Sequence, residues 1–346
     1  MSGLPPEDRL VELLESRYRA RRRDVLLGIG DDAAIIQASG PIAVSNDVLV
    51  EGVDFLPDTD PRRLGMKALA VNLSDLAAMG AAPLHALLAL GMPPRTGLDW
   101  FEAFHDGFRS SAGEYGVAVI GGDLSSSPTL FASVTVLGKP AAAGFLTRSG
   151  AKAGDELWVS GTLGASAAGL RLLLEGYRLV GDEGVRGPSG RLLRSAHTPE
   201  IRRLIRHQLS PRPMVELGTT LAERSLATAA IDISDGLSRD LHRLCRASGT
   251  GAVVERDALP ADSAIPELSK LLGMDPVATA LYGGEDYGLL FSVPRQKSAS
   301  VTRLAGRFAL RRIGALTAGP AVLLAARGRT EPIPDAGFDH FPKETA

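Results

Sequence analysis

Aspartates next to glycine or serine recur where apolar segments of this sequence end. The set comprises Asp31, Asp32, Asp47, Asp75, Asp123, Asp232 and Asp235, with Glu285 and Asp286 close behind. Each alone is typical of a turn or a helix cap. Asp75, however, lies inside an apolar helical segment and Asp232 directly follows an apolar run, where a carboxylate is costly unless it is paired or binds a metal. Few lysines or arginines lie nearby in sequence, so the joint pattern favours several Mg²⁺ ions that bridge nucleotide phosphates.

Glycines give a second signal, because they let the backbone approach a bulky anion closely. Gly28 and Gly30 precede Asp31, and Gly121 and Gly122 precede Asp123. A glycine pair after a strand is also typical of a tight turn. The sequence has no GxxxxGK[ST] loop and no protein-kinase signature, so a phosphotransferase with these motifs belongs to another lineage.

Other catalytic designs find little support in the sequence. The six histidines are scattered without zinc-ligand spacing, GxSxG is absent, and the sole cysteine, Cys245, lies on a predicted helix face as a buried thiol. The net charge of −2 gives no general attraction to nucleic acid or anionic membranes. No segment approaches the roughly 20 apolar residues of a membrane helix, and the N-terminus has no apolar signal core, so we expect a cytoplasmic protein.

The elements that must position these residues alternate between strand and helix. The pattern predicts an α/β or layered α+β fold with two domains, 1–140 and 150–346, because glycine, proline and lysine replace periodic apolar residues at 138–154. The segment 181–190 is predicted to be loop. Predicted helices cover 62–79, 101–108, 165–174 and 237–245, and predicted strands cover 42–50, 117–120, 130–137, 156–160, 227–233, 289–293 and 321–325.

Seven motifs, in this order, resemble the thiamine-monophosphate kinases. They are GIGDD at 28–32, KALAVNLSDLAAMGA at 67–81, IGGD at 120–123, LTRSGAKAGD at 146–155, AIDISDGL at 230–237, GGEDY at 283–287 and GFDHF at 337–341. The broader superfamily includes ATP-using dimers such as the aminoimidazole ribonucleotide synthetases. The resemblance runs through nearly the whole chain.

The resemblance implies a role for each matching residue. Magnesium would be held by Asp32, Asp47, Asp75, Asp123, Asp232 and Asp235, with Ser45 and Asn46 in the metal shell. ATP would contact Gly122, Arg148 and Ser234, and the thiamine substrate would contact Asp54, Glu285 and Phe338. The first domain would bind ATP and magnesium and pair its sheet across a homodimer, and the second would complete the substrate and nucleotide site.

The implied reaction is ATP-dependent phosphorylation of thiamine monophosphate to thiamine diphosphate. A phosphate monoester is mostly a dianion at pH 7, so it attacks directly without a general base. Asp54 departs from the family, which usually has a histidine there. Asn46 and Leu124 stand where threonines are common.

Three alternatives remain open on the sequence. One is another enzyme of the superfamily with a different acceptor, although a selenophosphate synthetase would carry a reactive cysteine near its start. Another is a nucleotide-binding maturation scaffold like the hydrogenase accessory protein, which uses a terminal cysteine that this chain lacks. The third is a paralogue that binds nucleotide without turning it over.

Overall fold

A four-stranded sheet organises the first part of the chain. The computed structural model describes residues 4–18, 22–29 and 33–341. The elements are α1 Glu7–Arg17, β1 Val25–Leu27, β2 Ile35–Ile36, β3 Ala43–Val50, α2 Pro61–Ala78, β4 Ala81–Met92, α3 Leu98–Tyr115, β5 Ala118–Ser126 and β6 Phe131–Pro140. The sheet has the order β3-β6-β4-β5, and only its β4–β5 pair is parallel. Helix α2 packs on β3, β4 and β6 and also on α3.

A seven-stranded sheet organises the rest of the chain. The elements are β7 Glu156–Ser160, α4 Ala165–Leu174, β8 Arg178–Val180, β9 Gly184–Arg186, α5 Thr198–Leu209, α6 Val215–Glu223, β10 Ala229–Asp232, α7 Leu237–Ser248, β11 Gly251–Glu255, α8 Ala264–Glu267, α9 Ser269–Leu272, α10 Pro276–Tyr282, β12 Leu289–Val293, α11 Ser298–Thr302, α12 Ala305–Phe308, β13 Leu310–Thr317, β14 Val322–Ala326 and β15 Arg329–Pro332. The strand order is β10-β12-β7-β13-β11-β14-β15.

Both faces of strands β10, β12 and β7 of the larger sheet are buried, which explains their mostly apolar sequences. Leu157 and Val159 pack with α7 and α10, whereas Trp158 between them packs with α6 on the opposite face. The layered α/β architecture predicted from the sequence is therefore confirmed. No helix in the described part of the chain is long and apolar enough to cross a membrane.

Strand β4 is a long element that the sequence pattern does not predict. Its alanines and leucines favour helix by intrinsic propensity. It is nevertheless extended because it lies between β6 and β5, pairs with both, and buries Ala86, Leu88 and Leu90. Tertiary pairing thus overrides local preference.

Two other predictions about local structure are wrong in detail. The predicted strand 117–120 continues as β5 to Ser126, so Gly121, Gly122 and Asp123 lie within a strand and not in a tight turn after it. The segment 181–190, predicted to be loop, contributes β9, which pairs antiparallel with β8.

The crossing of α2 and α3 depends on two glycines. A Cβ atom on Gly107 would lie 1.8 Å from the carbonyl oxygen of Arg62, and one on Gly65 would lie 2.0 Å from that of Phe104. Because glycine has a hydrogen atom in place of Cβ, the two helix backbones can come into contact at these positions. The contact places α2 where its polar side chains reach the cavity described below.

We expect Gly107→Ala to destabilise the protein by about 1–3 kcal/mol, because the added methyl group must push the helices apart. Gly113→Ala is the matched control, since it lies in the same helix and a Cβ there meets nothing within 4 Å. That control should instead stabilise the protein by about 0.5–1 kcal/mol. Urea unfolding followed by circular dichroism measures both changes, and equal effects of the two substitutions would contradict this account of the crossing.

Candidate active site

A cavity of about 560 Å³ lies where β3 and α2 meet the β10–α7 loop, residues 283–287 and the C-terminal segment. It collects ten of the residues predicted from the sequence. They are Ser45, Asp47, Asp54, Asp75, Arg148, Asp232, Ser234, Asp235, Glu285 and Phe338. Residues predicted for magnesium, ATP and substrate therefore share one cavity.

The alternation of side chains along β3 aims Ser45 and Asp47 at α2. The hydroxyl of Ser45 donates a hydrogen bond to Oδ2 of Asp75 at 2.5 Å, and the backbone N–H of Asp47 donates to Oδ1 of Asn72 at 2.8 Å. These two bonds fix α2 against β3. As a result, the carboxylates of Asp47 and Asp75 line the same wall of the cavity.

Asp232 brings a third carboxylate from the other sheet. It is the last residue of β10, its exposed fraction is 4%, and its Oδ2 accepts a hydrogen bond from the hydroxyl of Ser74 at 2.9 Å. Ser74 precedes Asp75 in α2, so neighbouring residues of one helix contact Asp232 on β10 and Ser45 on β3.

These three carboxylates carry more negative charge than their surroundings neutralise. Burial, and then the charges of Asp75 and Asp235, raise the pKa of Asp47 to about 6. Burial and the charge of Asp75 raise the pKa of Asp232 to about 8. Burial also raises the pKa of Asp75, although Arg148 and the Ser45 hydrogen bond oppose it. A site of this kind fits a divalent cation, which would replace the missing positive charge.

The donor set suits magnesium in its usual mode of binding. Within residues 4–18, 22–29 and 33–341, no three His, Cys, Asp or Glu side chains form a group that could hold a metal ion by themselves. Magnesium commonly takes one or two protein carboxylates and completes its shell with water and substrate phosphates. Asp47, Asp75 and Asp232 offer such carboxylates beside an open cavity.

The expectation that these carboxylates lack cationic partners is wrong for Asp235. Arg243 on α7 contacts Asp235 at 2.6 Å and Asp240 at 2.8 Å. Asp240, fully buried, also accepts hydrogen bonds from the backbone N–H groups of Ser234 and Asp235, each at 3.1 Å. The loop that carries Ser234 and Asp235 is therefore held from one side by α7. The sequence feature that indicates this pairing is Arg243, three residues after Asp240 and therefore on the same face of the helix.

Glu285 is also paired with a cation, again contrary to expectation. Nζ of Lys67 lies 2.6 Å from Oε1 of Glu285, and the lysine side chain is only 2% exposed. Glu285 and Tyr287 have positive φ angles of 64° and 49°, which are unfavourable for residues with a Cβ. Their backbone N–H groups donate to the carbonyl oxygens of Ser234 and Ile233 at 2.7 and 2.8 Å.

Between these two residues, Asp286 anchors the loop to the start of α4. Its carboxylate accepts hydrogen bonds from the backbone N–H groups of Gly164 at 2.6 Å and Ser166 at 3.1 Å. Burial raises the pKa of Asp286 to about 7. Asp286 therefore holds the loop that presents Glu285 and does not itself line the cavity.

Asp54, the residue that departs from the family pattern, bonds to its own turn. Its Oδ2 accepts a hydrogen bond from the backbone N–H of Val50 at 2.8 Å. Burial raises the pKa of Asp54, and this hydrogen bond and then the charge of His340 oppose the rise. His340 lines the same cavity, and its ring packs edge-to-face against that of Phe338 with ring centroids 4.7 Å apart. Sequence reasoning missed Lys67, His340, and the cavity residues Gln208 and Tyr287.

The remaining predicted residues lie elsewhere. Asn46 points to the opposite face of β3, where its amide donates to Ser133 and Thr135 on β6. Gly122 and Asp123 line a separate groove of about 500 Å³ beside β5. Asp32 lies outside the described residues.

Comparison with known proteins gives matches over most of the chain. Residues 30–139 match the AIR synthase related protein family in its N-terminal domain, and residues 152–325 match its C-terminal domain. Thiamine-monophosphate kinase of Salmonella typhimurium is 40% identical over 330 residues, which cover 94% of this chain and 95% of that protein.

Solved structures agree with these matches. Thiamine-monophosphate kinase from Stenotrophomonas maltophilia superposes with a TM-score of 0.78 at 38% identity, covering 95% of this chain and 99% of the other. AaThiL complexed with AMPPCP and TMP superposes with a TM-score of 0.75 at 30% identity, covering 97% of each chain.

We expect Asp232→Asn to stabilise the protein when divalent cations are removed with EDTA. Because the folded-state pKa of about 8 exceeds the ordinary aspartate pKa of 3.8, the folded protein retains a proton that the unfolded chain releases. The resulting loss of stability is absent below about pH 4 and grows as the pH rises to about 8. The gain in free energy of unfolding should therefore be larger at pH 8 than at pH 5, on the order of 1 kcal/mol or more.

Urea unfolding at the two pH values measures this gain, with Asp257→Asn, an exposed aspartate that does not line the cavity, as the control. Asparagine can still accept the Ser74 hydrogen bond, so the substitution removes the charge and keeps the contact. A gain that is independent of pH would show that the charge of Asp232 is not the cause.

Proposed function

Because the chain belongs to the thiamine-monophosphate kinase family of AIR synthase related proteins, we propose that it transfers the terminal phosphate of ATP to thiamine monophosphate, giving thiamine diphosphate. The observation that carries the proposal is the single cavity in which predicted metal, nucleotide and substrate residues meet. The neighbour complexed with AMPPCP and TMP supports the same pair of ligands.

Different walls of the cavity suit different parts of the reactants. Asp47, Asp75 and Asp232 would hold magnesium, which when bound supplies positive charge against the phosphates of both reactants. Arg148, whose charge reaches Asp75, and Ser234 on the α7-anchored loop would bind the nucleotide.

The acceptor would lie on the side of Glu285, Phe338 and Asp54. Its phosphate is mostly ionised near neutral pH, so the attacking oxygen needs no residue to remove a proton. The task of the protein is then to align two anions for direct in-line transfer.

We further propose a homodimer in which the first sheet packs against its counterpart. Asp123 on β5 is separated from Asp47 on β3 by strands β6 and β4, about 14 Å at the usual strand spacing. One copy therefore cannot bring both carboxylates to one ion across its own sheet. Val44 and Val48, 63% and 45% exposed, lie on β3 and suit contact with a second copy.

In this dimer, β5 of one copy would approach the cavity of the other. Gly122 and Asp123 would then reach nucleotide and magnesium in the partner's site. Residues 1–140 would provide the ATP, magnesium and dimer contacts, and residues 150–346 would complete the substrate and nucleotide site.

We expect the purified protein to make thiamine diphosphate from ATP, Mg²⁺ and thiamine monophosphate, and Asp75→Asn to lower kcat on the order of 100-fold or more. The loss follows from removing a carboxylate at the centre of the cluster. Asp257→Asn, an exposed aspartate that does not line the cavity, is the control and should keep full activity. Wild-type protein that consumed ATP without forming thiamine diphosphate would contradict the proposed acceptor, and an active Asp75→Asn variant would contradict the metal role.

Mixed dimers test the shared site. Asp75→Asn and Asp123→Asn, each inactive alone, are co-expressed with different tags, and the heterodimer is purified on both. One of its two sites then carries no substitution, so activity should recover to about half that of wild type. A monomeric mass by light scattering would refute the dimer, and an inactive heterodimer would refute the shared site.

A further inference from the structure

Lys67 is a buried lysine whose ammonium group lies at the cavity wall. Its side chain is 2% exposed, and α2 carries it between the two halves of the chain. Nζ lies 2.6 Å from Oε1 of Glu285 and donates to the carbonyl oxygen of Asp54 at 3.4 Å. A lysine is rarely buried to this extent unless its charge is paired. Here the partner is the cavity carboxylate assigned above to the acceptor.

The second oxygen of Glu285 is held from another helix. The amide of Gln208 on α5 donates to Oε2, and the hydroxyl of Ser166 on α4 donates to the amide oxygen of Gln208. Gln208 is only 4% exposed and Ser166 is fully buried. Each oxygen of the Glu285 carboxylate therefore has its own buried donor, on two different helices.

The backbone of Glu285 shows that this placement has a cost. Its φ of 64° is unfavourable for glutamate, and such conformations persist only where the surroundings enforce them. The side chain nevertheless stays 26% exposed to the cavity. The network therefore orients the carboxylate towards a ligand and leaves part of it free.

We propose that Lys67 is a positioning residue that, together with Gln208, fixes the ionised carboxylate of Glu285 for recognition of the acceptor. The inference rests on the proposed function and extends it. The thiamine part of the acceptor carries a permanent positive charge and an amino group, and an oriented carboxylate complements both. Because Lys67 lies on α2 in the first half of the chain and Glu285 lies in the second half, this arrangement of the acceptor site depends on the two halves being docked.

The test is the kinetics of Lys67→Met, which removes the charge and keeps a long apolar side chain. The KM for thiamine monophosphate should rise about 10-fold to 100-fold, the usual cost of removing a residue that orients a ligand-binding side chain. The KM for ATP should change less than about 2-fold. A purely structural role would alter both constants together or lower the melting temperature alone. Lys152→Met, an exposed lysine, is the matched control and should leave both constants unchanged.

A double variant separates positioning from direct contact. If Lys67 acts through Glu285, then Lys67→Met combined with Glu285→Gln should raise the acceptor KM no more than Glu285→Gln alone. Additive effects would mean that Lys67 contacts the acceptor itself and would overturn the positioning role. An unchanged acceptor KM in Lys67→Met would overturn the inference outright.

Two further measurements keep the outcomes distinct. If Lys67→Met does not fold, Gln208→Leu replaces it, and an acceptor KM equal to wild type in that variant overturns the inference. Calorimetric titration of wild type with thiamine monophosphate reports the proposed function independently. If the wild-type protein neither binds nor phosphorylates thiamine monophosphate, the proposed function is refuted. If the wild type and Lys67→Met bind it equally well, only the role of Lys67 is refuted.

Discussion

Helix α2 is buried nearly all round, and this constraint organises the rest of the structure. Its residues pack against β3, β4, β6, α3, α6 and β10. A helix in such surroundings must satisfy each polar side chain it carries. Lys67, Asn72, Ser74 and Asp75 do so with partners around a single cavity. The contacts that bury α2 therefore also assemble the site.

Close backbone contacts make this burial possible. Gly65 and Gly107 let α3 approach one side of the helix, and a Cβ on Gly218 of α6 would lie 1.9 Å from the carbonyl oxygen of Ala77 at its end. With both sides fixed by backbone contact, α2 has little freedom to slide. The oxygens of Asp75 and the ammonium of Lys67 then keep their places relative to β3, β10 and residues 283–287.

Charge divides the cavity into two kinds of carboxylate. Burial raises the pKa values of Asp47, Asp75 and Asp232, and the charge of Asp75 raises those of Asp47 and Asp232 further, so added positive charge would stabilise their ionised forms. Asp235 and Glu285 are already paired with arginine or lysine. Within residues 4–18, 22–29 and 33–341, Asp47, Asp75 and Asp232 form no salt bridge, which suits a dissociable cation, whereas the paired carboxylates keep a fixed orientation without one. Acidic side chains in this cavity therefore have two roles, cation binding and oriented ligand contact, and the presence of an arginine or lysine partner determines which role each one has.

The sequence by itself determined the elements with strong periodicity and the chemical nature of the site. The segment 165–174 has the apolar spacing of a helix and forms α4, and the aspartate motifs predict magnesium-binding carboxylates, although not that they converge in one cavity. Only the tertiary structure decided that the alanine-rich β4 is extended, because neighbouring strands on both sides supply its hydrogen bonds. It also decided which carboxylates are neutralised, since Lys67 and Glu285 are far apart in the chain and meet only when α2 is buried between the two sheets. Local preference is fixed by neighbours in sequence, whereas desolvation and ion pairing depend on distances that folding alone sets.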